Sequence, residues 1–112
     1  MEGKSNIDIS HVDLHDVSMI FFFDKLGTFL RYINADPEFP IAIPPETFIG
    51  KKISQILPLP MVTKPAIRII REAINEQKTK TYTKTFFNIT CRATLLPMPC
   101  GNAVIALIAL TT

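Results

Sequence analysis

Ala103-Val104-Ile105-Ala106-Leu107-Ile108-Ala109-Leu110 is an unbroken apolar run that stops at Thr111 and Thr112. It is far shorter than the ~18 to 20 residues a membrane-spanning helix needs, and its β-branched members favour an extended chain. The run therefore reads as a strand buried on both faces. A strand without a polar side needs structure above and below it, which places it in the middle of a sheet. The rest of the chain must supply the flanking strands and the cover.

Met19-Ile20-Phe21-Phe22-Phe23 is a second run without polar alternation. Asp24-Lys25-Leu26-Gly27 and Thr28-Phe29-Leu30-Arg31-Tyr32-Ile33 follow it. Two extended segments joined through a short polar turn predict a β-hairpin, with Gly27 supplying a positive φ. The Met19 run and the Ala103 run are expected side by side at the sheet centre. From Asn34 to Pro45 the prolines forbid a central strand or a long helix. Pro45-Glu46-Thr47-Phe48-Ile49-Gly50 suits one helical turn closed by glycine, and Ile53, Ile56 and Leu57 mark another, ended by Pro58 and Pro60. The longest helix is predicted over Met61 to Gln77, capped by Thr63, with Pro65 in its first turn and Ala66, Ile69, Ile70, Ala73, Ile74 and Gln77 on the apolar side. Lys78 to Phe86 alternates threonine with larger side chains as a half-exposed strand does. After a turn at Phe87-Asn88, the next strand directs Ile89, Cys91, Ala93 and Leu95 to the core. Pro97 to Asn102 turns the chain into the last strand.

With 112 residues, the chain is expected to form one domain burying somewhat over ~60% of its unfolded surface. Its 12 basic and 10 acidic side chains leave +2, a balance that gives no strong pull toward nucleic acid or a membrane. No apolar run reaches spanning length and Met1 to Ser10 lacks an apolar signal core, so a cytoplasmic location and no membrane insertion are expected. Cys91 and Cys100 are expected to be reduced thiols. Residues 1–16 read as a flanking segment with a short helix or turn from Ser10. His11 and His15 could share a helical face with Asp8, but a short solvated segment gives this spacing without a metal.

Residues 17–112 resemble the PAS domain, a sensory and protein-interaction module of signalling proteins. The resemblance rests on Met19-Ile20-Phe21-Phe22-Phe23-Asp24 followed by Gly27 and Asn34, on Pro45-Glu46-Thr47-Phe48-Ile49-Gly50-Lys51-Lys52-Ile53 running to Ile56-Leu57-Pro58, on Ala73-Ile74, and on Leu95-Leu96-Pro97. It implies an α+β fold: a five-stranded antiparallel sheet in the order 2-1-5-4-3 with crossover helices on one face. Ala109-Leu110-Thr111 stands where many members carry Asp-Ile-Thr, which removes the aspartate that couples the last strand to a following helix. No cysteine lies between Asn34 and Leu57 for a flavin photoadduct, and no histidine lies on the long helix for haem ligation. The cofactor is left unknown, with those two types disfavoured.

The acids are scattered over turns and the outer helix face, so no catalytic constellation is proposed and a non-catalytic module is expected. The resemblance implies a sensory or regulatory input domain of a longer signalling protein, such as a histidine kinase or diguanylate cyclase, with its effector domain outside this chain. Tyr32, Ile67, Ile70, Ile74, Cys91 and Ala93 are the candidate lining of an apolar ligand pocket; packing into a solid core is the competing reading. The alternative function is a ligand-free module for homodimerisation or protein interaction. It would form a homodimer through the N-terminal segment and the outer sheet face, because residues 1–18 cannot cover that face alone.

Overall fold

The computed structural model describes residues 17–35, 44–57, 59–86, 88–99 and 101–111. Strands β1 (Met19–Asp24) and β2 (Phe29–Asn34) lead to a 3-10 turn at Pro45–Thr47 and helices α1 (Ile53–Ile56) and α2 (Pro60–Glu76). Strands β3 (Lys80–Phe86), β4 (Ile89–Pro97) and β5 (Ala103–Thr111) complete the domain. All neighbouring strands are antiparallel, and their order is β2-β1-β5-β4-β3, as the resemblance implied.

The central position of β5 follows from its side chains. Phe21 pairs with Ala106 and Phe22 with Ile105 across β1, while Leu95 pairs with Ala106 and Leu96 with Ile105 across β4. Val104 and Ala106 turn inward, where Phe21, Phe23, Leu95 and α2 enclose them; Leu107 turns outward into a second buried cluster with Val17 and Leu96. Burial on both sides contributes about 1.5–3 kcal/mol for each large aliphatic side chain.

The β1–β2 connection is tighter than a generic polar loop. Asp24 Oδ1 accepts hydrogen bonds from the backbone N–H of Leu26 and Thr28, both at 2.9 Å, and Gly27 takes φ +78°. A register slip at Phe22/Phe23 keeps Phe29 on the core side. On the outer face, the Arg31 guanidinium lies 5.6 Å above the Phe22 ring, a cation–π contact across the pair.

Helix α2 begins one residue earlier than its apolar period suggests. Pro60, which the sequence reading treats as a stop, occupies the first helical position, where a missing N–H costs nothing. Thr63 is therefore not the cap; it lies within the helix, buried, and Pro65 stands in the helix interior. Gln77 leaves the apolar stripe too. It adopts a left-handed conformation at φ 52° as the C-cap, and its Nε2 donates to the Ile74 carbonyl at 2.9 Å. An ion pair of 2.8 Å between Glu76 and Lys80 links the helix end to β3.

Strand β3 starts at Lys80, and Asn88 makes the turn to β4 with φ 61°. Ile89, expected inside, is 38% exposed, because the first residue of β4 extends past the cover. Ser10, His11, His15 and Cys100 lie outside the described residues.

Candidate functional site: an apolar cavity between helix and sheet

The inner face of the sheet and the helices enclose a cluster of aromatic rings that also forms part of a cavity wall. Phe48, 2% exposed, packs against Phe29 at 5.0 Å and Phe21 at 6.0 Å between centroids, and Phe23 meets Phe29 at 4.8 Å. Edge-to-face and tilted contacts at such spacing are favourable beyond the area they bury. The 3-10 turn at Pro45 places Phe48 there, and the Gly50 N–H bonds to the Phe29 carbonyl at 2.7 Å to hold the connection down.

A cavity of about 390 Å³ lies between helix and sheet, lined by Phe21, Phe23, Phe29 and Phe48 together with the small side chains of Ala66 on α2, Ala93 on β4 and Ala106 on β5. Met19, Ile108 and Leu110 extend its floor; Val62, Ile70 and residues of α1 form its roof. That volume falls within the ~300–1,000 Å³ of ordinary small-molecule sites. The space opens to solvent on one side, so it is a cleft between helix and sheet and not an enclosed void. Leu57, at 39% exposure, marks where the cavity reaches the surface.

Of the six residues singled out from sequence, Ile70, Cys91 and Ala93 stand on the wall. Tyr32, Ile67 and Ile74 belong to the surrounding core without lining the cavity. Tyr32 stacks against Phe21 at 5.2 Å, and Ile67 packs over the β1–β2 turn beside Gly27. The sequence reading missed Phe21, Phe23, Phe29 and Phe48 of the wall, and Val62. The last was available as the first member of Val62-Ala66-Ile70 at i, i+4, i+8 within the expected helix.

Among the wall residues, Cys91 and Tyr82 carry the thiol and the hydroxyl. Burial pushes both above their ordinary pKa; for Tyr82 the neighbouring Cys91 adds to the rise and Arg68 partly opposes it. Both stay neutral at physiological pH, so the wall bears no charge. The Tyr82 hydroxyl is buried with no hydrogen-bond partner among the described residues. Among these residues, no group of three or more His, Cys, Asp or Glu could hold a metal ion, and no helix is long and apolar enough to cross a membrane.

No protein-family model matches the chain, and no curated protein does. Solved structures do. A domain of an HTR-like protein from Haloarcula marismortui has a TM-score of 0.69 at 12% identity, covering 84% of this chain and 97% of that one. The PAS domain of the quorum-sensing receptor RpfR from Cronobacter turicensis, in complex with BDSF, has a TM-score of 0.67 at 10% identity, covering 90% and 99%. A sensory box sensor histidine kinase from Vibrio cholerae follows at 0.62 and 13%, covering 93% and 90%. With the strand order above, these matches show that the chain has the PAS fold.

Proposed function

We propose that this domain is a sensory or regulatory input module that binds a small, uncharged, apolar ligand in the cavity between α2 and the sheet and passes the signal to an effector. The observation that carries this reading is the cavity itself: about 390 Å³, bounded by aliphatic side chains and by the rings of Phe21, Phe23, Phe29 and Phe48. A carboxylate or ammonium would be desolvated there without a partner, a cost of several kcal/mol, so the wall selects for neutral ligands. Structures of the same fold come from sensor kinases and a receptor, and the RpfR domain is a complex with BDSF. These support a sensing role and a non-catalytic one.

Mass spectrometry of the protein sprayed from non-denaturing buffer tests the reading. A retained neutral molecule of a few hundred daltons or less, released on denaturation, is the expected result; a bare polypeptide mass that no added apolar compound shifts would overturn it.

A second reading, a ligand-free dimerisation module, is supported by the outer sheet face. There Ile20, Phe22 and Ile105 are only half-buried and Ile33 is 38% exposed. A stable dimer with no retained small molecule would favour it.

A further inference from the structure

The positive charge of this chain is unevenly placed. From Thr47 to Arg71 there are five cations, Lys51, Lys52, Lys64, Arg68 and Arg71, and no acid. The remaining residues hold seven cations against ten acids, so positive charge gathers between Thr47 and Arg71, with Glu46, Glu72 and Glu76 just outside that stretch, on a molecule whose net charge is only +2. Structure concentrates this further. On α2, Lys64, Arg68 and Arg71 are all exposed and fall at i, i+4, i+7, one outward stripe. Met61 begins the same stripe one turn earlier and is 75% exposed, the most exposed large apolar side chain among the described residues. Leu59, at 48%, and Leu57, at 39%, precede it at the helix start.

Three protruding apolar side chains at the tip of a basic helix face are poorly matched to water. They fit a surface that is anionic outside and apolar just beneath, because cations bind phosphate and carboxylate headgroups while leucine and methionine reach the acyl boundary. A polyanion without an apolar layer, such as nucleic acid, leaves Leu59 and Met61 unused. An acidic protein partner is the competing occupant, and it predicts no binding to the mixed vesicles below. We infer that the exposed face of α2, with the Leu57–Met61 tip, docks this domain on the surface of an anionic lipid bilayer. Leu57 belongs both to this tip and to the cavity wall, so the cavity reaches the surface at the docking face. The inference does not require the cavity to be occupied.

Flotation of the protein with vesicles of phosphatidylcholine, alone or with roughly 30% phosphatidylserine, tests it. Binding to the mixed vesicles and not to the neutral ones, weakening as salt rises, is expected. With each cation near such a surface contributing about fivefold, Lys64→Gln, Arg68→Gln and Arg71→Gln together should lower partitioning by about 100-fold. Leu59→Gln with Met61→Gln should also abolish flotation while leaving all five cations in place. Each variant's melting temperature should match the parent, since these side chains are exposed. No binding to mixed vesicles would overturn the inference. So would tighter binding to duplex DNA that the Leu59/Met61 variant retains, or flotation insensitive to the triple substitution.

Discussion

Gly27 is the residue whose replacement is best defined by geometry. Its φ of +78° lies where L side chains rarely go, and an added Cβ would sit 3.1 Å from Ile67 Cγ1 on α2. Gly27→Ala should therefore destabilise the fold by about 1–3 kcal/mol through strain and the forced shift of Ile67, read as a lowered urea midpoint. An unchanged midpoint would refute the turn geometry. Cys91 gives the pH dependence. Its thiol pKa is raised by burial above the ordinary 9.0, so the folded state favours the neutral form. The associated stability is fully present below the unfolded value and is lost as pH rises through the folded one. Tyr82 and Tyr32, raised from 10.0 by burial, act in the same direction. The melting temperature should hold level through neutral pH and fall above pH 9, with Cys91→Ala delaying the onset of the fall. A melting temperature flat to pH 10.5 would contradict this assignment.

Among the elements, β5 was the most legible because its composition left one option. Ala103 to Leu110 offers no polar face, and only a position between two strands and two covers satisfies it. Ile105→Asp tests this directly. Ile105 packs against the Val17, Leu96 and Leu107 cluster on the outer face, and a carboxylate there would lose hydration without a counter-charge. The cost of several kcal/mol is comparable to the whole stability of such a domain. Circular dichroism should show an unfolded or aggregated chain, and a native spectrum with a melting temperature near the parent's would count against the central role. The start of α2 was not legible, because Pro60 is equally a stop for one helix and a first residue for the next. Local sequence does not distinguish the two; the packing of α1 beside α2 does. Ile89 misled for a related reason: its alternation with Cys91 and Ala93 is correct, but burial depends on where the cover ends.

At the scale of the molecule, the central pairing of β1 with β5 could be read because two apolar runs far apart in sequence each demanded two neighbours, while the full strand order was what the family resemblance implied. The cavity could not be read. Its wall draws on both helices and all five strands, with Ala66, Ala93 and Ala106 among its small side chains and Phe21, Phe23, Phe29 and Phe48 among its large ones. A residue's size is visible in sequence, but what it faces is not. For this reason Ile70, Cys91 and Ala93 were placed on the wall, whereas Tyr32, Ile67 and Ile74, equally apolar and on the same face, entered the solid part of the core.

The most direct test of the cavity compares wild type with Ala66→Phe, which adds a ring to the roof without a new polar group. Titration with the apolar fluorophore N-phenyl-1-naphthylamine should give saturable, blue-shifted emission with wild type and at least tenfold weaker binding with the variant. The variant should also melt at or above the wild-type temperature, since the ring fills space that is otherwise unpacked. Equal binding by both proteins, or none by either, would contradict a ligand site between α2 and the sheet.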